Sequence, residues 1–353
     1  MTWYIDQGPE SDVIISSRVR LARNLNGFPF PHRMDNKQAK EAADLIIQAF
    51  FREEPEIKRQ YVIVDLETMS QEDRLALAEK RLISDDLAEN GLNHRAIISL
   101  DESVSIMINE EDHIRIQSMQ SGLNLHEAFD SALRMAGRLD TILDLSHCER
   151  YGYLTACPTN TGTGMRASVM AHLPGLGLGG RIKSTVEGLQ KLNFAVRGRY
   201  GEHSKSQGNL FQISNQLTLG ISEADLINDL QSMLQQLIEQ ERQARQELYR
   251  QQRPIIEDRV MRAYGILTAA RLMSTQEAEQ LLSDLRLGIS LELICSVNHS
   301  DINRIEATIG PASIQKTKGR LMSPDERDQE RAAVIRSLLD KKTKNKSDSQ
   351  TAD

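Results

Sequence analysis

The hydrophobic positions of this chain change their period near residue 220. Before it, apolar residues come in short β-rich runs, YVIVDL at 61–66, AIISL at 96–100 and VSIMIN at 104–109, set between helical stretches. The last run alternates as a half-buried strand does, because strand side chains point to opposite faces in turn. From Ser222 the spacing becomes helical. Leu226, Ile227, Leu230, Met233, Leu234, Leu237 and Ile238 recur three and four apart, and Ser222 with Asp225 has the form of an N-terminal cap. That helix is expected to run on through charged residues toward Pro254. Ser274 with Glu277 then predicts a further helix that Gly288 would stop, and Ser323, Pro324 and Glu326 predict another. The pattern predicts a short N-terminal segment (1–12), an α+β region over 13–244, an all-α region over 252–340, and a polar, disordered tail over 341–353.

Composition adds exclusions. A chain of 353 residues, 39% hydrophobic and 26% charged, can bury one large core and a satellite. No apolar run approaches the roughly 20 residues of a membrane span. The start, MTWYIDQGPESD, lacks the basic-then-apolar layout of an export signal, so a cytoplasmic protein with no membrane partner is expected. Three cysteines are too few for a disulfide framework and show no zinc-ligand spacing; free thiols are expected, with Cys148 and Cys295 as small buried residues. A net charge of −7 argues against a nucleic-acid coat, although charge can still be concentrated locally.

The arginines show such concentration. In Ser16-Ser17-Arg18-Val19-Arg20 the two arginines share one side of an extended segment, so two guanidinium forks could grip one polyphosphate. Arg115 follows the acidic run Asn109-Glu110-Glu111-Asp112-His113. Arg166 follows CPTNTGTGM, and Arg197 opens Arg197-Gly198-Arg199-Tyr200-Gly201-Glu202. A planar, permanently charged fork suits phosphate oxygens. Standard nucleotide signatures are missing: there is no G-x-x-x-x-G-K-S/T loop and no H-R-D with D-F-G. Gly175, Gly177, Gly179 and Gly180 follow no clear strand and read as a flexible connection.

Four of these motifs in order, SSRVRLARN, NEEDHIRIQSMQ, CPTNTGTGMRASV and RGRYGE, resemble the catalytic domain of the phosphagen (guanidino) kinase family, that of creatine and arginine kinases. The resemblance covers about 13–244 and implies a large, mainly antiparallel sheet flanked by helices. It implies ATP and Mg²⁺ as cofactors. Glu111 and Glu202 would hold an acceptor guanidinium from two sides and help remove its proton, and Cys157 matches the family's reactive cysteine, which would orient the acceptor. Around the nucleotide it implies Ser16, Ser17, Arg18, Val19, Arg20, Arg81 and Arg115, then Arg166, Ala167, Ser168, Val169 and Met170, then Arg197, Gly198, Arg199, Tyr200, Gly201 and Glu202. No protein metal ligands are implied.

Two departures refine it. Phosphagen kinases carry a helical domain before SSRVR that closes over a small substrate, whereas here about a dozen residues precede the motif, so an open acceptor pocket is expected; and a helical extension follows the catalytic region. Both features resemble a bacterial branch of the family that phosphorylates arginine side chains of proteins. That likeness extends to Arg327-Asp328-Gln329-Glu330-Arg331-Ala332, which implies an allosteric phosphoarginine-binding pocket. It further implies a zinc-containing activator protein, a heat-shock repressor and a Clp protease system as partners, with a homodimer or higher formed through 252–340. Two other readings stay open, a kinase for a free guanidino metabolite and a non-catalytic phosphoarginine-binding adaptor.

Overall fold

The computed structural model describes residues 2–52, 55–89, 91–198 and 207–350. Among them, the strands are β1 (Ile14–Arg23), β2 (Tyr61–Asp65), β3 (Arg95–Ser99), β4 (Val104–Ile108), β5 (Ile114–Ser121), β6 (His147–Cys148), β7 (Gly152–Tyr153), β8 (Met165–His172), β9 (Phe194–Gly198) and β10 (Leu210–Asn215). The helices are α1 (Asn36–Phe50), α2 (Pro55–Gln60), α3 (Gln71–Glu79), α4 (Asp85–Ala88), α5 (Leu125–Asp140), α6 (Pro174–Leu178) and α7 (Ile182–Lys191), then α8 (Glu223–Ala269), α9 (Thr275–Ser290), α10 (His299–Thr308), α11 (Pro311–Lys318) and α12 (Pro324–Gln350). Eight strands make one antiparallel sheet in the order β2-β3-β4-β5-β1-β8-β10-β9, and β6 with β7 forms a separate ribbon. The architecture is the α+β class expected, with helices following the sheet.

Alternation gives the sheet two unlike faces. Val19, Leu21, Ile116, Ala167, Val169 and Ile213 are buried on one face in the main core, against Ile46 and Phe50 of α1, Ala128 and Ala132 of α5, and Leu230, Leu234 and Leu237 of α8. Each fully buried Leu, Ile or Phe contributes about 1.5–3 kcal/mol, so this shared face decides where the helices sit. Strand β4 was expected to be buried on one side, yet all five of its residues are buried. It is an interior strand: Ile106 and Ile108 enter the main core, while Met107 enters a second cluster with Leu66, Leu82, Ile83 and Leu87 beneath α3 and α4.

Helix α8 runs 47 residues and passes straight through the sequence boundary near 250. Ser222 caps it by accepting from the Asp225 amide, as its sequence predicts. Pro254 cannot donate to the turn before it, and the ladder kinks at Gln252 (φ −132°, ψ 35°) without ending. The helix therefore belongs to two cores, because beyond the kink Val260 and Leu267 pack with Leu282, Leu285, Ile302, Ile305, Ile335 and Leu339.

Three local expectations give way. Gly288 does not stop α9; it lies inside that helix, where a Cβ would come within 2.3 Å of a Val260 methyl, so it is small because two helices cross there. The glycine stretch at 175–180 is not a slack connection, since α6 is pinned to α8 by Glu241, which accepts from the Gly175 amide at 2.8 Å and the Leu176 amide at 3.0 Å. The polar run 341–350, expected to be disordered, continues the backbone of α12 to Gln350; it contains neither glycine nor proline to end a helix.

A Cβ on Gly175 would meet the Arg245 backbone at 2.5 Å. Gly175→Ala is therefore expected to cost about 1–3 kcal/mol in urea unfolding by overpacking. Gly137→Ala, on the exposed side of α5 with nothing within 4 Å, should instead stabilise by up to about 1 kcal/mol. Equal effects at the two positions would contradict the packing described.

Candidate active site

The polar face of the sheet carries the arginines, and register explains why. Arg20 lies opposite Gln117 of β5 on one side and Arg166 of β8 on the other; Arg18 lies opposite Met119 and Ser168. Arg115 precedes Gln117 by two, and Arg197 of β9 lies opposite Gln212 of β10, which lies opposite Met170. Residues opposite one another share a face, so Arg18, Arg20, Arg115, Arg166 and Arg197 all project into one space. They line a cleft of about 970 Å³ together with Arg81 and, from the C-terminal helices, Glu279, Gln315 and Arg327.

The same alternation removes some sequence-expected contacts. Ser17, Val19, Ala167 and Val169 are buried on the opposite face, and the Ser17 hydroxyl donates to the Gly122 carbonyl at 2.8 Å, so their side chains do not face the cleft. Ser16, Ser168 and Met170 stay on the arginine side, and Gly198 ends β9 opposite Phe211. Arg199, Tyr200, Gly201 and Glu202 lie outside the described residues.

Burial first, and neighbouring cations second, disfavour charge on the two arginines of β1. Burial, with Arg115 and Arg166 nearby, pulls the Arg20 pKa down to about 9, against Glu110 and Glu111, which raise it. Burial and then Arg20, Arg81, Arg166 and Arg115 hold Arg18 well below its ordinary value. Guanidiniums stay charged in water at neutral pH, so an anion entering the cleft would offset the repulsion among them.

The acidic turn before β5 divides into structural and exposed parts. Asn109, in a left-handed conformation (φ 60°), donates its side-chain amide to the Ala39 carbonyl at 2.8 Å. The His113 ring accepts from the Leu25 amide at Nδ1, so its Nε2–H donates to the Pro29 carbonyl at 2.9 Å; burial holds its pKa down to about 4, and the ring is neutral. Glu110 is buried, accepting from Arg115 at 2.5 Å and from the Ser84 hydroxyl. Glu111 is 41% exposed at its side chain and pairs with Arg115 at 2.8 Å. Burial raises its pKa above the ordinary carboxylate value, with Arg115 opposing.

Asp112 accepts from Asn24 at 2.6 Å and from the Ala156 amide at 2.8 Å. The residue after Glu111 thus holds the residue before Cys157. Cys157 is half-buried, its Sγ 3.0 Å from the Thr159 hydroxyl, and its carbonyl accepts from Thr155 at 2.7 Å. The structure therefore brings Glu111 and Cys157 onto linked segments. Cys148, expected to be buried, is half-buried in the small ribbon, and Cys295 is exposed; neither packs in a core.

Two positioning devices were not read from the sequence. Arg81 is a non-glycine residue at φ 61°, and Gln117 fixes its turn by donating to the Arg81 carbonyl at 2.6 Å. Glu79 accepts from the Ala312 and Ser313 amides at 2.7 and 2.8 Å, capping α11 and tying the C-terminal helices to the cleft wall. The six residues at 327–332 do not face one space. Arg327 lines the arginine cleft; Gln329 is exposed; Glu330 pairs with Lys318 at 2.7 Å; Ala332 is buried in the second core. Arg331 is 1% exposed and donates to the Ile309 and Met273 carbonyls and to Asp328.

The chain matches the family described as ATP:guanido phosphotransferase, C-terminal catalytic domain, over residues 41–244, and the protein-arginine kinase McsB C-terminal domain over 253–350. It is 46% identical to the protein-arginine kinase of Moorella thermoacetica over 96% of this chain and 97% of that one, and 44% identical to that of Caldanaerobacter subterraneus over 94% and 98%. Among solved structures, lombricine kinase superposes with a TM-score of 0.58 at 25% identity, covering 68% of this chain and 71% of that one. The duplicated taurocyamine kinase of Schistosoma mansoni superposes at 0.57 with 30% identity over 65% of this chain, which spans 33% of that longer enzyme. The chain belongs to the ATP:guanido phosphotransferase family, in the branch that carries the protein-arginine kinase C-terminal domain.

Proposed function

We propose that this protein transfers the γ-phosphoryl group of ATP to arginine side chains of other proteins. The observation that carries the reading is one sheet face bearing five arginines, with a half-exposed carboxylate, Glu111, paired to the nearest of them. The near full-length likeness to protein-arginine kinases favours a protein acceptor over a free guanidino metabolite.

In this reading the triphosphate lies against Arg18, Arg20, Arg115, Arg166 and Arg197, whose donors neutralise charge growing on the equatorial oxygens. Mg²⁺ would be carried by phosphate oxygens and water, since magnesium commonly keeps several waters, with Glu79, Asp85, Asp86, Glu279 and Glu306 on the cleft wall as the acids nearest to hand; it would supply positive charge that neutralises the phosphates. Glu111 grips the acceptor guanidinium through two parallel N–H bonds and aligns one nitrogen with the γ-phosphorus. A nitrogen–phosphorus bond forms, the bond to the ADP oxygen breaks, and the proton leaving nitrogen goes to a carboxylate. Glu202 is the second such carboxylate in this proposal. Cys157 orients the acceptor from the segment that Asp112 holds beside Glu111.

For the 327–332 block the proposal narrows to Arg327, which faces the cleft; Arg331 acts as an internal brace through its Nε and Nη1. We further infer, from the likeness to bacterial protein-arginine kinases, a cytoplasmic role in protein quality control with a zinc-containing activator, a heat-shock repressor and a Clp protease. Ile255 on α8, with Leu272 and Leu321 in the connections that precede α9 and α12, are each more than half exposed and support self-association there.

Incubation with ATP and either an unfolded protein or free arginine separates the acceptors: phosphate is expected on protein, and transfer to free arginine alone would defeat the proposal. Glu111→Gln should lower kcat by about 10²–10⁴-fold while the protein stays folded. Because the ionised acid is the working form and its pKa is raised, the wild-type rate should fall as pH drops toward an acid limb above 4.5, and Glu111→Gln should lack that limb when ADP release is followed. Cys157→Ala should also slow turnover; a full rate would remove its orienting role.

A further inference from the structure

Strand β2 is the outer strand of the eight-stranded sheet, bonded to β3 on one side and, among the described residues, to no strand on the other. Its parity is fixed at both ends of that pairing: the Leu100 amide donates to the Gln60 carbonyl at 2.8 Å, and the Leu66 amide donates to the His94 carbonyl at 3.1 Å. Even-numbered residues therefore bond to β3, and Tyr61, Ile63 and Asp65 turn their backbone N–H and C=O groups outward. Val62 and Ile63 are 45% and 49% exposed, on opposite faces of the strand. Ile63 also lines, with Ile47, Phe51, Lys58 and Tyr61, a groove of about 530 Å³ beside the end of α1. The three central residues of β2 are apolar and include neither proline nor bulge, the usual devices that keep a free edge unpaired.

This edge is complementary to itself. Antiparallel pairing with a second copy, centred on Ile63, sets residue 63 opposite its own symmetry mate, 62 opposite 64, and 61 opposite 65. Ile63 then exchanges two backbone hydrogen bonds across the two-fold axis, and Val62 meets Val64 twice, the kind of β-branched pair that stabilises a sheet. Charge favours the same register. Lys58 and Arg59 stand exposed before the strand, and Asp65 and Glu67 close it, so the basic flank of each copy meets the acidic flank of the other. Parallel pairing would set basic flank against basic flank. Both acids keep local partners, Asp65 lying 3.7 Å from Arg95 and accepting from the Glu67 amide at 3.1 Å, and Glu67 accepting from the Asn93 amide at 2.7 Å. A carboxylate has about four acceptor sites, so each can take a further donor.

We propose that β2 is a self-association surface at which two copies of this chain join their sheets edge to edge, about a two-fold axis through Ile63. The surface is isologous, the same strand serving both partners. It shares no residue with the C-terminal helices, so a chain that uses both surfaces has two different partners and assembles beyond a dimer. The inference is independent of the chemistry assigned to the arginine cleft.

Disulfides introduced into the whole chain, formed under mild oxidation and read on non-reducing gels, test the register; Cys295→Ser serves as the background because that thiol is exposed. Ile63→Cys should cross-link to its own kind, since hydrogen-bonded residues opposite one another lie about 5.5 Å apart at Cα. Val62→Cys and Val64→Cys should each cross-link poorly alone, their own mates lying on the diagonal at about 7–8 Å, and at least about fivefold better when mixed, because they then face each other. The Ile63 N–H points away from β3, so Ile63→Pro removes an outward donor and spares the β3 ladder; added to both members of the mixed pair it should cut cross-linking at least about fivefold. Arg59→Glu should lower the yield as well, and more so at low salt than at high. Cross-linking of Ile63→Cys no higher than background, equal yields from Val62→Cys alone and mixed, or an undiminished yield in folded Ile63→Pro protein would overturn the proposal. So would cross-linking of Ile63→Cys to reduced, unfolded lysozyme but not to itself, which would assign the edge to extended segments of other proteins. If thermal unfolding shows that the proline variant is misfolded, Ile63→Cys and the mixed pair decide.

Discussion

Repulsion among guanidiniums on one face of an antiparallel sheet is the constraint around which the molecule is arranged. Alternation places Arg18 and Arg20 together on β1, and register brings Arg115 and Arg166 to either side. The same alternation sends Val19, Leu21, Ala167 and Val169 into the main core. The site and the core are thus two consequences of one register, and a one-residue slip would bury charge and expose the apolar face together. Burying cations among cations is unfavourable, and at Arg20 Glu110 and Glu111 oppose it. A polyanion would stabilise the arrangement from outside, which is why the proposed function puts a nucleotide triphosphate there.

The C-terminal helices share in this constraint. Helix α8 belongs to both cores, so the second cluster of helices is built on an extension of the first core's scaffold. Glu79 caps α11 from the catalytic side, and Arg331 ties α12 to the Ile309 and Met273 carbonyls. Through these ties Arg327 and α10 reach the cleft from the far side of the sheet's polar face. Removing Arg331 would leave buried carbonyls without their donor, so its loss would be felt in the wall of the cleft as well as in the helices.

Much of this was legible in the sequence, for physical reasons that differ by residue. The caps at Ser222 and Ser274 were readable because capping is local, requiring a hydroxyl and an amide three residues on. The shared side of Arg18 and Arg20 was readable because period two is fixed by strand geometry. Gly288 was misread because its reason for being small is Val260, nearly thirty residues away, and Gly175 because its neighbour is the backbone of Arg245. The division of the 109–113 run into four buried residues and one exposed acid, Glu111, was invisible, since Asn24, Ala39 and Ala156 hold it from distant parts of the chain. Arg331 resembled a surface ligand group because its distant partners, at Ile309 and Met273, are carbonyl oxygens, which every residue has and no motif reports.

Arg115 shows how the two halves of the site act on each other. Its guanidinium faces the cleft and bonds Glu110 through one nitrogen and Glu111 through another. An anion arriving in the cleft competes with Glu111 for that guanidinium, and a guanidinium arriving at Glu111 competes with Arg115 for the carboxylate. In the proposed mechanism each arrival would weaken the pair that opposes the other, so triphosphate and acceptor would favour one another's binding. Glu110, buried beneath and bonded to Ser84 as well, keeps Arg115 anchored while that exchange occurs. The exposed acid can then change partner without the cationic wall losing its shape.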